Sequence, residues 1–196
     1  EKPLYMPDVY QVSDRQRVSA AAPSRADCGL PAEGFVFCSF NNSFKYTPQV
    51  FDVWMRLLQA VPGSVLWLLA DNPWAEAHLR EEAVRRGVTA ERLVFATRVS
   101  PENYLARFLI ADLFLDTFPF NAGTTANDCL WMGCPLLTLS GRSFASRMAG
   151  ALLTAAGLPE LITYDLAAYE TIARELANDP ASCAQLRAHL HMVRES

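Results

Sequence analysis

Two threonines follow a glycine at Gly123-Thr124-Thr125, a few residues behind the short apolar run from Leu113 to Leu115. A strand that feeds a glycine-containing turn and then a helix leaves unpaired backbone N–H groups at the helix start. With the positive end of the helix dipole, they favour an anion such as a phosphate. Asp128 stands four residues past Thr124, about one turn in, on the face of the helix mouth. A carboxylate there sits badly beside a phosphate but well beside a sugar hydroxyl, to which it is an acceptor. The same residues also describe a capped helix with a solvated aspartate, because such residues are common at helix starts without any ligand. Two further loops carry polar groups, Asn41 to Lys45 and Arg98 to Arg107, the second containing Tyr104. Each alone has a bland reading: Lys45 as a surface charge, Tyr104 as a half-buried helix residue, Arg107 as part of a solvated face. Their convergence depends on the elements that carry them.

Those elements alternate. The apolar run at 34–40 reads as a strand buried on both faces, 64–69 and 113–115 as further buried strands, 93–96 and 135–139 as strands, and 161–163 as a weak sixth. Between them lie helical patterns at 48–60, 73–86, 101–110, from Thr124, and at 144–156, with two more at 166–177 and from 180 onward. The first has Thr47 at the N-cap, Pro48 at its first position, and Val50, Val53, Trp54, Leu57 and Leu58 on one face; Gly87 stops the second. Six strands in alternation with helices predict an α/β fold, a Rossmann-like doubly wound parallel sheet. In such a sheet ligands sit beyond the carboxyl ends of the strands, which brings all three polar loops to one edge. Residues 1–33, rich in Ser, Ala, Arg and Pro from residue 13, read as a segment and linker entering from elsewhere. Residues 34–178 form the lobe and 179–196 a final helix, which reaches Arg194-Glu-Ser with neither cap nor breaker.

Composition narrows the function classes. A chain of 196 residues, 51% hydrophobic, buries one good core. A net charge of −4 without a basic run argues against a nucleic-acid surface, and no apolar stretch reaches the roughly 18 residues of a membrane helix. Five cysteines, Cys28, Cys38, Cys129, Cys134 and Cys183, with no CxxC pair, read as reduced thiols of a cytoplasmic protein. His78, His189 and His191 lack companion ligands, so no metal is expected. GxGxxG, GxxxxGK[ST] and GxSxG are all missing, which excludes the common NAD, ATP and hydrolase readings. Arg142, Ser143 and Arg147 fall at the same edge, Ser143 as a helix cap and Arg147 as a structural ion-pair partner. Trp54, Trp67 and Trp131 read as core.

Several motifs in order carry a specific resemblance. Phe40-Asn-Asn-Ser-Phe-Lys45, Val61-Pro-Gly-Ser-Val-Leu-Trp-Leu-Leu69, Ala111-Asp-Leu-Phe-Leu-Asp-Thr117, Gly123-Thr-Thr-Ala-Asn-Asp-Cys-Leu-Trp131 and Ala145-Ser-Arg-Met-Ala149 resemble the protein O-linked N-acetylglucosamine transferases and their SPINDLY-like relatives. The opening Glu1-Lys-Pro-Leu-Tyr-Met-Pro7 is similar to the segment that leaves the first catalytic lobe in that family. The resemblance spans nearly the whole chain and, with the composition, points to a bacterial member. It implies the C-terminal lobe of a GT-B glycosyltransferase. The first lobe and an acceptor-binding tetratricopeptide region would lie upstream, and the final helix would lead back to that lobe. It further implies an inverting, metal-independent transfer of N-acetylglucosamine from UDP-GlcNAc to Ser or Thr hydroxyls of acceptor proteins, with no cofactor. Taken alone, the lobe would bind UDP weakly and transfer nothing.

By position, the resemblance puts the donor-site lysine, the one catalytic residue assigned, at Lys45. The phosphate-binding helix mouth falls at Thr124 and Thr125, the ribose-binding acid at Asp128, and the base-binding pair at Tyr104 and Arg107. Asn42 stands where animal enzymes have glutamine, Tyr104 where they have histidine, and Gly123 where they have histidine ahead of the two threonines. The general base falls outside this lobe. A peptide O-fucosyltransferase using GDP-fucose and a nucleotide-sugar-binding module without transfer remain as alternatives, as does an α/β domain with no ligand.

Overall fold

The computed structural model describes Met6 and residues 9–194; the rest of the opening Glu1–Pro7 motif lies outside the described residues, as do Glu195 and Ser196. Six strands form the frame: β1 Val36–Ser39, β2 Val65–Leu69, β3 Leu93–Ala96, β4 Leu113–Leu115, β5 Leu136–Leu139 and β6 Ile162–Thr163. All neighbouring pairs are parallel, in the order β3-β2-β1-β4-β5-β6. The order reverses between β1 and β4, and a doubly wound sheet opens its ligand crevice at such a reversal. β1, β4 and β5 are buried along their whole length and β2 along all but its last residue. That is why they read as continuous rather than alternating apolar runs.

Seven helices cover this sheet among the described residues: α1 Pro48–Ala60, α2 Pro73–Arg85, α3 Pro101–Arg107, α4 Thr124–Trp131, α5 Met148–Ala155, α6 Leu166–Asn178 and α7 Pro180–Arg194. α1 turns Val50, Val53, Trp54, Leu57 and Leu58 into the core and packs on α6, while α4 packs on α5 and α7. α2 opens as its sequence demands, with the Asn72 side chain accepting from the Ala75 amide and Pro73 at the first position. Gly34 has no tolerable replacement: its φ is 101° and a Cβ would stand 2.3 Å from the Gly63 carbonyl oxygen.

Three expectations need correction. α3 ends at Arg107, not residue 110, because 108–110 tighten into i→i+3 bonds. α5 starts at Met148, not residue 144: the Ser143 and Ser146 hydroxyls bond each other and their own backbone, winding a separate turn, so Ser143 caps no helix. Trp131 is only partly buried, unlike Trp54 and Trp67; it packs at the edge of the core, with the Arg17 and Arg194 guanidiniums 4.9 and 5.4 Å from its ring.

One polar chain runs through the core. The Trp54 indole N–H donates to the Tyr169 hydroxyl at 3.3 Å, and that hydroxyl donates to the Asp116 carbonyl at 3.0 Å. It ties α1 and α6 to the end of β4. Tyr169→Phe keeps the ring and deletes the link, leaving a buried carbonyl and indole N–H without this partner. Urea denaturation is expected to register a loss of about 1–3 kcal/mol, with the far-ultraviolet dichroism unchanged.

Candidate functional site

The crevice between β1 and β4 is built by two loops. β4 ends at Asp116, which is fully buried. Its Oδ1 accepts the amides of Thr117 at 2.8 Å and Ala122 at 2.7 Å, and its Oδ2 accepts the Thr138 hydroxyl at 2.6 Å. Residues 116–122 are thereby drawn into a closed loop. Asn121, also buried, reinforces it by donating to the Thr117 carbonyl at 2.8 Å and the Leu139 carbonyl at 3.2 Å. Thr47 occupies the N-cap position of α1, but its hydroxyl makes no cap bond and donates instead to the Phe118 carbonyl at 3.2 Å. The loop delivers Gly123 to the start of α4, where no side chain caps the helix. The amides of Thr124, Thr125 and Ala126 therefore lead the helix without intrahelical acceptors.

The facing loop follows β1. Asp71, just past β2, accepts the Ser43 amide at 2.7 Å and the Ser43 hydroxyl at 2.9 Å, winding residues 43–45 into a single 3-10 turn. That turn points Lys45 across the crevice. Its Nζ donates to the Asn121 carbonyl at 3.0 Å and to Asn41 Oδ1 at 3.4 Å, and lies 4.0 Å from the Phe120 ring centroid. Burial lowers the Lys45 pKa from its ordinary value, and the charge of Asp116 opposes that shift. Burial in turn pushes the Asp116 carboxyl up to about 7, against its three donors and Lys45.

A cavity of about 420 Å³ opens here, bordered by Asn41, Asn42, Lys45, Tyr104, Arg107 and Thr125 among others. Five of the eight residues singled out from the sequence thus share one space. Arg107 is 8% exposed, with its guanidinium 5.9 Å from the Trp67 ring, and burial lowers its pKa. The Tyr104 ring meets Phe40 at 6.2 Å and Phe108 at 5.4 Å. Burial raises its phenol well above the ordinary value and the Asp128 charge adds to this, while a hydrogen bond with Thr125 opposes it.

The other three residues are placed differently. Thr124 is exposed at the first position of α4. At Gly123 a Cβ would meet Met148 Cε at 2.6 Å and Tyr10 Oη at 3.0 Å, the ends of two side chains that lie against the glycine. Asp128 borders an adjoining cavity of about 240 Å³ with Arg17, Glu102 and Tyr104. It is buried and ion-paired to Arg17 rather than solvated. Burial raises its pKa, and Arg17 and Tyr104 pull it back down. Arg142 and Arg147 are exposed, and Arg147 makes no ion pair among the described residues.

Sequence reasoning missed Asn41, Asp116, Asn121 and Arg17. Asn41 is 2% exposed, borders the cavity, and its Nδ2 has no partner among the described residues. Of 17 basic side chains only Lys2 and Lys45 are lysines, the rest being arginine. A compact ammonium in so arginine-rich a chain marks a position that needs a point charge.

The segment at 9–33, read as a linker, is tied to the lobe. Tyr10 packs on Phe144 with ring centroids 5.4 Å apart, and Ser13 Oγ accepts from Asn127 Nδ2 at 2.7 Å. Arg17 pairs with Asp128, and the Ala20 amide donates to the Glu102 carbonyl at 3.1 Å.

Comparison with known proteins gives a consistent picture. The family model described as Glycosyl transferase family 41 matches residues 10–196. A UDP-N-acetylglucosamine--peptide N-acetylglucosaminyltransferase of Caenorhabditis elegans is 39% identical over 91% of this chain and 16% of its own length. A probable enzyme of the same description from Arabidopsis thaliana, SEC, is 35% identical over 96% of this chain and 20% of its own. Among solved structures, a K341M mutant of the Thermobaculum terrenum O-GlcNAc transferase superposes with a TM-score of 0.80 at 34% identity. That match covers 90% of this chain and 33% of the other. The chain thus spans a fifth or less of these curated relatives.

The coupling of Lys45 to Asp116 has a measurable consequence. Asp116→Asn removes the anion that opposes burial, so the Lys45 pKa falls further. Lysine ¹³Cε spectra, with only two lysines to assign, should show the Lys45 midpoint moving to lower pH in the variant. Identical midpoints would show that the carboxylate does not act on the ammonium.

Proposed function

The chain belongs to glycosyl transferase family 41, and on that premise we propose that it is the nucleotide-sugar lobe of an inverting protein O-GlcNAc transferase. The donor is UDP-GlcNAc and the acceptors are Ser or Thr hydroxyls of proteins. The observation that carries this reading is the position of Lys45, whose ammonium shares a cavity with Thr125 of the uncapped α4 start at the sheet's reversal point. Cation, helix dipole and free amides together suit a diphosphate.

In this reading Lys45 and the donors of Thr124 and Thr125 hold the two phosphates, with Gly123 leading into the uncapped start of α4 beside them. Asn42 lies next to Lys45. Tyr104 and Arg107 line the base pocket, and Asp128 accepts from the ribose hydroxyls. The acceptor hydroxyl attacks the anomeric carbon opposite UDP, so that one C–O bond forms as the bond to the diphosphate breaks. Its proton passes to a base outside this lobe. Negative charge grows on the leaving diphosphate, and Lys45 is the fixed cation that stabilises it. Preorganised protein donors carry the charge in this scheme, and no metal or cofactor is assigned.

The remaining parts of the machine are assigned to the rest of the protein. An upstream lobe closes the cleft and a tetratricopeptide region collects acceptor proteins. Residues 1–33 enter from that lobe, 34–178 form the nucleotide-sugar lobe, and 179–196 return towards the first. The shares of 16% and 20% of the relatives' lengths support a multi-part protein. A cytoplasmic setting fits the five free cysteines, and no described helix is long and apolar enough to cross a membrane.

Calorimetric titration of the intact two-lobed protein with UDP and GDP tests the reading. Selective UDP binding is expected, weakened by roughly 1.5–3 kcal/mol in Lys45→Ala, the range for a charge-assisted contact. Preference for GDP would point to fucose transfer instead. Binding of neither nucleotide would remove the site. The lobe alone should bind UDP weakly and transfer nothing.

A further inference from the structure

Arg17 comes from the irregular N-terminal segment, 111 positions from the carboxylate it meets on α4. Its Nη1 engages Asp128 Oδ1, and its guanidinium lies 4.9 Å from the centroid of the Trp131 ring, one helical turn further on. Trp131 is held from elsewhere too: the Arg194 guanidinium lies 5.4 Å from its ring and donates to its carbonyl at 3.2 Å. Stacking on the indole therefore aims the guanidinium, and the ion pair fixes the carboxylate. Arg17 and Asp128 keep only 15% and 12% of their side-chain surface exposed, so the pair is screened far less than a surface bridge. The Arg17 Nη2 is buried and has no partner among the described residues. Its Nε donates to the Asp14 carbonyl at 2.9 Å, so the segment's own backbone and the indole together hold the guanidinium against Asp128.

From this geometry we propose that Arg17 is a positioning residue of the nucleotide site, acting through Asp128. The proposal rests on the reading that Asp128 accepts from the ribose hydroxyls. Burial disfavours the ionised form of Asp128, whereas Arg17 first and then Tyr104 favour it. Arg17 engages Oδ1 and favours the carboxylate form, in which Oδ2 is an acceptor for a hydroxyl. The influence extends along the cavity wall, because Tyr104 interacts with both Asp128 and Thr125. The N-terminal segment is on this account a working wall of the ribose subsite, and displacing it lowers affinity for the ribose end of the ligand while leaving the phosphate contacts at Lys45 in place.

The test compares UDP with 2′,3′-dideoxy-UDP on the intact protein. It uses the wild type and Arg17→Gln, Arg17→Lys, Trp131→Leu and Asp128→Ala. The wild type should prefer UDP by roughly ten- to hundredfold, the worth of hydrogen bonds to a charged group. In Arg17→Gln that preference should fall to about threefold or less, with dideoxy-UDP binding nearly unchanged. Arg17→Lys restores a charge and should recover much of the preference, and Trp131→Leu, which removes the ring beneath the guanidinium, should lose part of it. A purely structural role would weaken both ligands alike and leave the ratio intact, which overturns the proposal. Tighter UDP binding in Arg17→Gln would make Arg17 an occluding contact and overturn it equally. A wild type that ignores the ribose hydroxyls, with Asp128→Ala indistinguishable from it, would instead remove the assignment of Asp128 beneath the proposal.

Discussion

The buried carboxylate of Asp116 is the constraint on which the crevice depends. A charge-bearing group at the end of an apolar strand is costly unless its lone pairs are filled. Here two amides and a hydroxyl fill them, and the amides belong to residues 117 and 122. Satisfying one side chain therefore closes the loop that carries α4 to its start. The main-chain oxygen of the same residue anchors the Tyr169–Trp54 chain, so the loop is fastened to α1 and α6 as well as to β5. Lys45 completes the arrangement by donating to the Asn121 carbonyl inside that loop. The ammonium sits where it does because the loop is closed, and the loop is closed because the buried carboxylate takes its donors from residues 117 and 122.

A second layer comes from the N-terminal segment. Residues 10–20 have almost no regular structure, yet Tyr10, Ser13, Arg17 and Ala20 reach α5's approach, α4 and α3 in turn. Irregular chain gains nothing from ladder hydrogen bonds, so its order has to come from such side-chain and single backbone contacts. It makes α4 a helix approached from both sides: the closed loop fixes its start, and the segment covers Asn127, Asp128 and Trp131 further along. That explains why Asp128, which the sequence places simply near a helix mouth, opens to a different cavity from Thr125.

The legible and illegible parts of this chain divide along a physical line. Strands buried on both faces write themselves as unbroken apolar runs; β4 is one and matches its sequence boundaries residue for residue, as does the less buried β3. α1 spans Pro48–Ala60 as read, because Pro48 and Pro62-Gly63 punctuate it locally. Lys45, Tyr104, Arg107 and Thr125 could be grouped because strand polarity alone sends their loops to one edge. Nothing local encodes the partners of Asp116 or the pairing of Arg17 with Asp128. The latter joins residues 111 positions apart, and neither stands in a pattern that points to the other. Thr47 is instructive for the opposite reason. Its residue type and position satisfy every local rule for a cap, but the Phe118 carbonyl, 71 residues away, claims the hydroxyl. Tertiary contacts overrode a correct local signal.

Charge is segregated within the site in a way the overall balance conceals. The chain carries a net −4, yet the cavity beside α4 is bordered by Lys45, Arg98 and Arg107 and by no carboxylate. The neighbouring cavity holds Glu102 and Asp128, with Arg17 against the latter. Tyr104 borders both. An all-cationic space focuses field on an anion, whereas the second space offers acceptors that a phosphate would avoid and hydroxyls would seek. A ligand with a diphosphate at one end and a polyhydroxylated ring at the next satisfies both spaces at once. On the proposed reading, a ligand reversed in the crevice would bring phosphate oxygens against Glu102 and Asp128, so the division of charge between the two spaces favours one orientation over the other.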